Sequence, residues 1–211
     1  MENSIPNELL TLWDEARENI EQRQFNRAIE IYRYILLMYS EDKVAVEFAH
    51  AYLADVYLTL RNTDLAKAHI RKALKMAPRV GQYHYILGFI YSLEIQWQKS
   101  MREFERALQA SPEKAEFLRG LGWATYNAGE KERGILILNK ALYRQPDDIN
   151  ILTDLAVCYL GLLAFRKARK YVGLALKVDP ANSLAKSTLW MVDYAEHQAH
   201  MEEDHWSDNP Q

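Results

Sequence analysis

Four of the six prolines, Pro78, Pro112, Pro146 and Pro180, follow one another at a spacing of 34 residues. Five residues ahead of each stands an alanine (Ala73, Ala107, Ala141, Ala175), and a leucine follows each alanine: Leu74, Leu108, Leu142 and Leu176. Leu53, Leu87, Leu121 and Leu155 keep the same period, with a small residue after each: Ala54, Gly88, Gly122 and Ala156. Tyr57, Tyr91 and Tyr159 recur three residues further on, where the third repeat has Thr125. So many columns at one short period mark a stacked repeat. The period is too short for a domain with its own core, so each unit must bury its apolar face against the next.

The columns read as a pair of helices. Small residues at fixed positions let two helices approach closely, and Leu, Tyr and Phe104 fill the gaps beside them. Proline ends each second helix, because its ring and missing N–H cannot continue the hydrogen-bond ladder. With only 8 Gly and 6 Pro in 211 residues, the chain lacks the turns of an all-β fold. Its hydrophobic fraction of 49% and charged fraction of 26% are those of a folded chain.

These residues resemble the tetratricopeptide repeat, whose period and markers they share. The resemblance sets units at 47–80, 81–114, 115–148 and 149–182, with a divergent unit at 9–42 that carries Phe25, Ala28 and Tyr32. Residues 183–200 form a capping helix with Leu184, Leu189 and Val192, which completes a single array over 1–200. Residues 201–211 form an acidic, disordered tail. The implied fold is all-α, a right-handed superhelical solenoid of about five helix–turn–helix units plus the cap. The family's first-helix aromatic is absent, since His50, His84, Leu118 and Leu152 stand there. The second-helix small marker is Ala66, Ser100, Gly134 and Ala168, with Gly134 expected to cost its helix about 1 kcal/mol relative to alanine. The step from Ala28 to Ala66 is four residues longer than the period, and one extra helical turn near Leu36–Tyr39 is expected to absorb it.

The same resemblance implies a concave groove lined by first helices, which in this family holds a partner peptide or helix. The positions it points to are Leu10, Trp13, Asp14, Arg17 and Glu21, then Phe48, Tyr52, Asp55 and Leu58. Tyr85, Ile86, Phe89 and Leu93 follow, then Glu116, Arg119, Trp123, Tyr126 and Asn127. Asn150, Asp154, Val157, Leu160 and, on the cap, Tyr194 complete the set. Trp, Tyr and Arg carry binding energy at interfaces. The expected partner-binding residues are therefore Trp13, Arg17, Phe48, Tyr52, Asp55, Tyr85, Phe89, Arg119, Trp123, Tyr126 and Asp154. Acids outnumber bases along the groove, so the expected partner is a protein or peptide segment with apolar and basic residues. The alternative for the aromatics is that several simply pack between units.

One subfamily grips the acidic C-terminus of heat-shock chaperones with Lys, Asn, Asn, Lys and Arg. In this chain those positions hold Trp13, Arg17, Tyr52, Gln82 and Ile86. Later frames hold Ala51, Asp55, Ile86, Glu116 and Gly120, or Tyr85, Phe89, Gly120, Asn150 and Asp154. None supplies the cations, so binding of that kind is not expected. The net charge of -3 gives no bulk attraction to nucleic acid or anionic membrane. The basic second-helix runs Lys67–Arg79 and Arg166–Lys177 read as solvated faces.

Catalysis requires converging reactive groups in a pocket. Cys158, the single thiol, falls on a buried first-helix position and reads as inert core. A lone cysteine with no disulfide partner fits a reducing compartment, hence the cytoplasm. The N-terminal residues carry no secretory signal pattern, and no apolar run reaches membrane-spanning length. His50 and His84 share a register in adjacent units, about 10 Å apart and too far for joint metal ligation. His197 and His200, with His205 beyond, read as surface histidines. The expected function is a non-enzymatic interaction scaffold or chaperone-like adaptor with no cofactor and no metal. The alternatives are self-assembly, in which another copy occupies the groove or Trp206 serves as anchor, and a metal-binding or enzyme-accessory role.

Overall fold

The structure is a computed structural model, and it describes residues 6–207. Among the described residues there are eleven helices and no strand. The chain divides into two compact units, Met1–Pro112 and Glu113–Gln211.

The first unit contains three helical hairpins: α1 (Asn7–Glu21) with α2 (Phe25–Met38), α3 (Lys43–Thr59) with α4 (Thr63–Met76), and α5 (Gly81–Leu93) with α6 (Trp97–Ala110). Its core stacks large residues (Tyr32, Ile35, Leu53, Ile70, Ile90, Phe104) against small ones (Ala16, Ala28, Ala49, Ala66, Ala73, Ala107), all almost fully buried. The small residues set the helix spacing. A Cβ at Gly88 would stand 3.0 Å from the Phe104 ring, and the Ser100 hydroxyl donates across the same gap to the Gly88 carbonyl at 2.8 Å.

The second unit holds α7 (Ala115–Asn127) with α8 (Lys131–Arg144), α9 (Ile149–Leu160) with α10 (Phe165–Val178), and the final helix α11 (Ser183–Ser207). α11 packs on α9 and α10 through Ala185, Leu189 and Val192. Arg169 on α10 pairs with Asp193 and Glu196 of α11. The helix runs past residue 200 to Ser207, so the tail expected from residue 201 begins inside α11. The rest of that tail, 208–211, lies outside the described residues.

Each hairpin turns in the same way. Arg23, Arg61, Ile95, Gly129 and Leu163 all have positive φ, between 54° and 99°. The residue after each donates its N–H five residues back, as Asn62 does to the Tyr57 carbonyl at 2.8 Å and Gln96 to that of Tyr91 at 2.9 Å. This is the Schellman ending of a helix, which favours glycine at the left-handed position. Only Gly129 supplies one. Pro78, Pro112, Pro146 and Pro180 each sit just past the end of a second helix.

The extra residues between the first two hairpins do not lengthen α2. That helix has 14 residues, the same as α4, α6, α8 and α10. They lengthen α3 instead, which has 17 residues where α5 and α7 have 13. The Asp42 carboxylate explains where the added turn starts: it accepts from the Val44 and Ala45 amides at 2.9 and 3.0 Å and caps the helix.

Gly134 has a different meaning from the one its propensity suggests. A Cβ there would stand 2.5 Å from the Tyr126 amide nitrogen and 2.7 Å from its Cα. The helices α7 and α8 touch backbone to backbone at this point, and only glycine fits.

Candidate interaction surface

The first unit holds a groove of about 1120 Å³ between α1 and the start of α3. Trp13, Arg17, Phe48, Tyr52 and Asp55, all expected groove residues, line it together. They meet because Trp13 and Arg17 lie one turn apart on α1, and Phe48, Tyr52 and Asp55 follow helical spacing on α3. Beneath them lies an aromatic cluster. Tyr52 stacks on Tyr32 with ring centroids 5.5 Å apart and planes 7° apart, and Trp13 leans on both at 5.6 Å. Tyr32 is buried at 1% exposure, while Tyr52 is 46% and Phe48 45% exposed. One ring therefore serves as foundation and the others as open surface.

The rim is acidic. Asp14, Glu21, Glu41, Asp42 and Asp55 stand on it against Arg17 and Lys43. Arg17 donates to the Asp14 carboxylate at 2.8 Å, and Asp42 is engaged as the α3 cap. The field reaches inward: burial, then Tyr52 and Asp55, push the Tyr32 hydroxyl above its ordinary range and keep it protonated.

Several lining residues were not expected. Tyr32 belongs to a second helix, which the repeat pattern assigns to packing. Glu41 and the cap residue Asp42 precede α3, and Lys43, Val44 and Ala45 come from its added turn, outside the repeat register. The signal for them was present in Asp42 ahead of an apolar run, an N-cap pattern.

The other expected residues are placed differently. Tyr85 is half-buried, stacked on Phe89 at 6.5 Å and tilted against Phe104 at 5.6 Å. Phe89 is 38% exposed. In the second unit Trp123 and Tyr126 pack partly buried against a core of Ile135, Leu138, Ile151, Leu155 and Cys158. The Tyr126 hydroxyl donates to the Cys158 carbonyl at 2.8 Å, tying α7 to α9. Arg119 and Asp154 bind each other across the same two helices at 2.6 Å. Burial lifts the Asp154 carboxyl, and the Arg119 guanidinium offsets part of the rise. These four residues make bonds and packing contacts within their own unit.

The reactive side chains are engaged too. Cys158 is fully buried, and burial followed by the Asp154 charge pushes its thiol up to about 12. His84 contacts Glu103 at 2.7 Å and the Pro78 carbonyl at 3.0 Å. The Nδ1 atoms of His50 and His69 are 3.0 Å apart, so one ring donates and the other accepts. Among the described residues no cluster of three or more His, Cys, Asp or Glu could hold a metal ion. His197 and His200 are exposed on α11, and the side chains of His205 and Trp206 lie outside the described residues. Of the basic second-helix residues, Lys67 binds Glu94 at 2.5 Å and Arg71 donates to the Tyr91 hydroxyl at 3.0 Å.

A sequence profile described as tetratricopeptide repeat matches residues 96–149, and a second of the same description matches 49–80. Among curated proteins the chain is similar to BBSome complex member BBS4 of Bos taurus, 27% identical over 129 residues. That match takes in 61% of this chain and 25% of the relative, so the chain spans about a quarter of that protein's length. Among solved structures it is similar to PilW, titled a widely conserved type IV pilus biogenesis factor. The TM-score is 0.80 at 19% identity, over 97% of this chain and 94% of that one. It is also similar to YrrB, titled a TPR protein with an unusual peptide-binding site. Here the TM-score is 0.61 at 20% identity, over 86% of this chain and 92% of that one. Identities this low speak to the fold alone. Taken with the 34-residue columns and the repeated hairpins, they identify an all-α helical-repeat solenoid that carries tetratricopeptide repeats at residues 49–80 and 96–149.

Proposed function

We propose that the chain is a non-enzymatic protein-interaction module that holds a segment of a partner protein in the groove of its first unit. The observation that carries this reading is the exposure of Tyr52 on a preformed aromatic bed, with the exposed Phe48 lining the same groove. Large rings presented on a rigid support bind at low entropic cost. A cavity of about 1120 Å³ admits several side chains of an extended peptide or one face of a helix. Family relationship supports the same reading, since repeats of this kind generally serve as interaction modules, and YrrB is titled as having a peptide-binding site. Adaptor or chaperone-like work is the finer form of the proposal, with the cytoplasm as its setting. Among the described residues no helix is long and apolar enough to cross a membrane.

The test is a pull-down with the full chain. Phe48→Ser and Tyr52→Ser should each remove a specific partner, whereas Tyr143→Ser, at an 82% exposed ring on α8, should retain it. Equal recovery with all three variants would refute the groove.

A further inference from the structure

The acidic, aromatic character of this groove names the chemistry of its occupant. Resting on the proposal that the groove binds a partner segment, we infer that the segment is anchored by an arginine, its guanidinium stacked on Tyr52 and set against Asp55, with apolar residues beside it.

Three observations converge. First, Tyr52 is stacked on one side by Tyr32 and flanked by Trp13, yet stays 46% exposed. Its open surface is a fixed platform, and such platforms attract cations through the ring quadrupole. Second, the rim carries five carboxylates against two cations, so its net charge favours a cationic occupant. Asp55, exposed and three residues from Tyr52 on the same helix face, lies where a stacked cation would meet it. Third, apolar surface stands exposed beside the cluster, at Val44 (58%) on the added turn of α3 and at Phe48 (45%) one turn further along the same helix. A planar, weakly hydrated cation can stack and pair at once, whereas an ammonium pairs as a point charge, and this favours arginine over lysine.

The same charge argues against this chain's own C-terminal segment, whose Glu202, Glu203, Asp204 and Asp208 would be repelled by the rim. A second copy offering that segment would be disfavoured for the same reason.

The experiment pans a random peptide library against the full chain. An enriched peptide is then synthesised in two forms, with arginine and with its neutral isostere citrulline. Fluorescence anisotropy compares both forms on the wild type, on Asp55→Asn and on Phe48→Ser, each variant checked for native helix content by circular dichroism. Enriched peptides should carry arginine beside apolar residues. The citrulline form should bind the wild type about 10-fold more weakly, and the difference should shrink to about 3-fold or less on Asp55→Asn. Phe48→Ser should weaken both forms. Peptides that lose affinity with Phe48→Ser but bind equally in both forms would overturn the arginine anchor and leave the groove standing. Peptides indifferent to Phe48→Ser, or a library that yields no binder, would overturn both. Concentration-dependent self-association abolished by Phe48→Ser would assign the groove to a second copy and overturn the proposal.

Discussion

Gly134→Ala sets two physical effects against each other. Alanine is the better helix former by about 1 kcal/mol, so propensity alone predicts a more stable protein. The structure predicts the reverse. The new Cβ would stand 2.5 Å from the Tyr126 nitrogen, 2.7 Å from its Cα and 2.7 Å from its Cβ. Ordinary contact begins at 3.4 Å, and the atoms in the way are backbone or the root of a side chain, which no rotamer change relieves. α7 and α8 must move apart, which takes with it the Tyr126 hydroxyl and its bond to the Cys158 carbonyl. Overpacking of this kind costs about 1–3 kcal/mol, and loss of that hydrogen bond adds about 1 kcal/mol. The net expectation is destabilisation by about 1–3 kcal/mol. Gly173 on α10 is the control, because a Cβ there meets nothing within 4 Å. Gly173→Ala should therefore stabilise by about 1 kcal/mol. Urea unfolding followed by circular dichroism reads both as opposite shifts of the midpoint. A midpoint raised by Gly134→Ala as by Gly173→Ala would refute the close approach of α7 and α8.

The same unfolding assay checks three further expectations. Ile95 is a β-branched residue at φ 59°, a left-handed conformation that costs about 1–2 kcal/mol, so Ile95→Gly should stabilise by about 1 kcal/mol, and a loss of stability would contradict the turn geometry. Asp154→Ala should cost about 1–3 kcal/mol by leaving Arg119 without its carboxylate, and replacing both by apolar residues should recover most of the loss; no recovery would mean the pair is not acting as one unit. His69 is pushed down to about 4 by burial, then by His50, Lys72 and Arg33. Between pH 6.5 and 4 the unfolded chain takes up a proton that the folded chain refuses. Stability should thus be full above pH 6.5 and fall as pH drops toward 4, with His69→Gln flattening the change; an unchanged slope would refute the neutral, half-buried pair.

The repeat was legible because its columns encode packing. Alanines and glycines at one period can only be helix crossings, and prolines at the same period can only be helix ends. The Schellman turns were hidden, because four of their five left-handed positions hold Arg, Ile or Leu instead of glycine. The added turn of α3 was misplaced onto α2, because a repeat pattern counts residues between columns and does not say which helix takes an insertion. Asp42, by capping α3, was the local signal that decides it. In the candidate site, register puts Trp13, Phe48, Tyr52 and Asp55 on one side of α1 and α3. Register cannot reveal that Tyr126 spends its hydroxyl on Cys158, or that Arg119 and Asp154 neutralise each other. Those are properties of neighbours about 30 residues away in sequence, and a single column carries no trace of them.

We propose that the groove between α1 and α3 receives a partner segment. Site-specific photocrosslinking tests it most directly, with benzoylphenylalanine placed at Phe48 or, as control, at Tyr143. A discrete protein adduct is expected at position 48 and not at 143, with the crosslinked peptide carrying arginine beside apolar residues. Adducts at both positions alike, or at 143 alone, would contradict it.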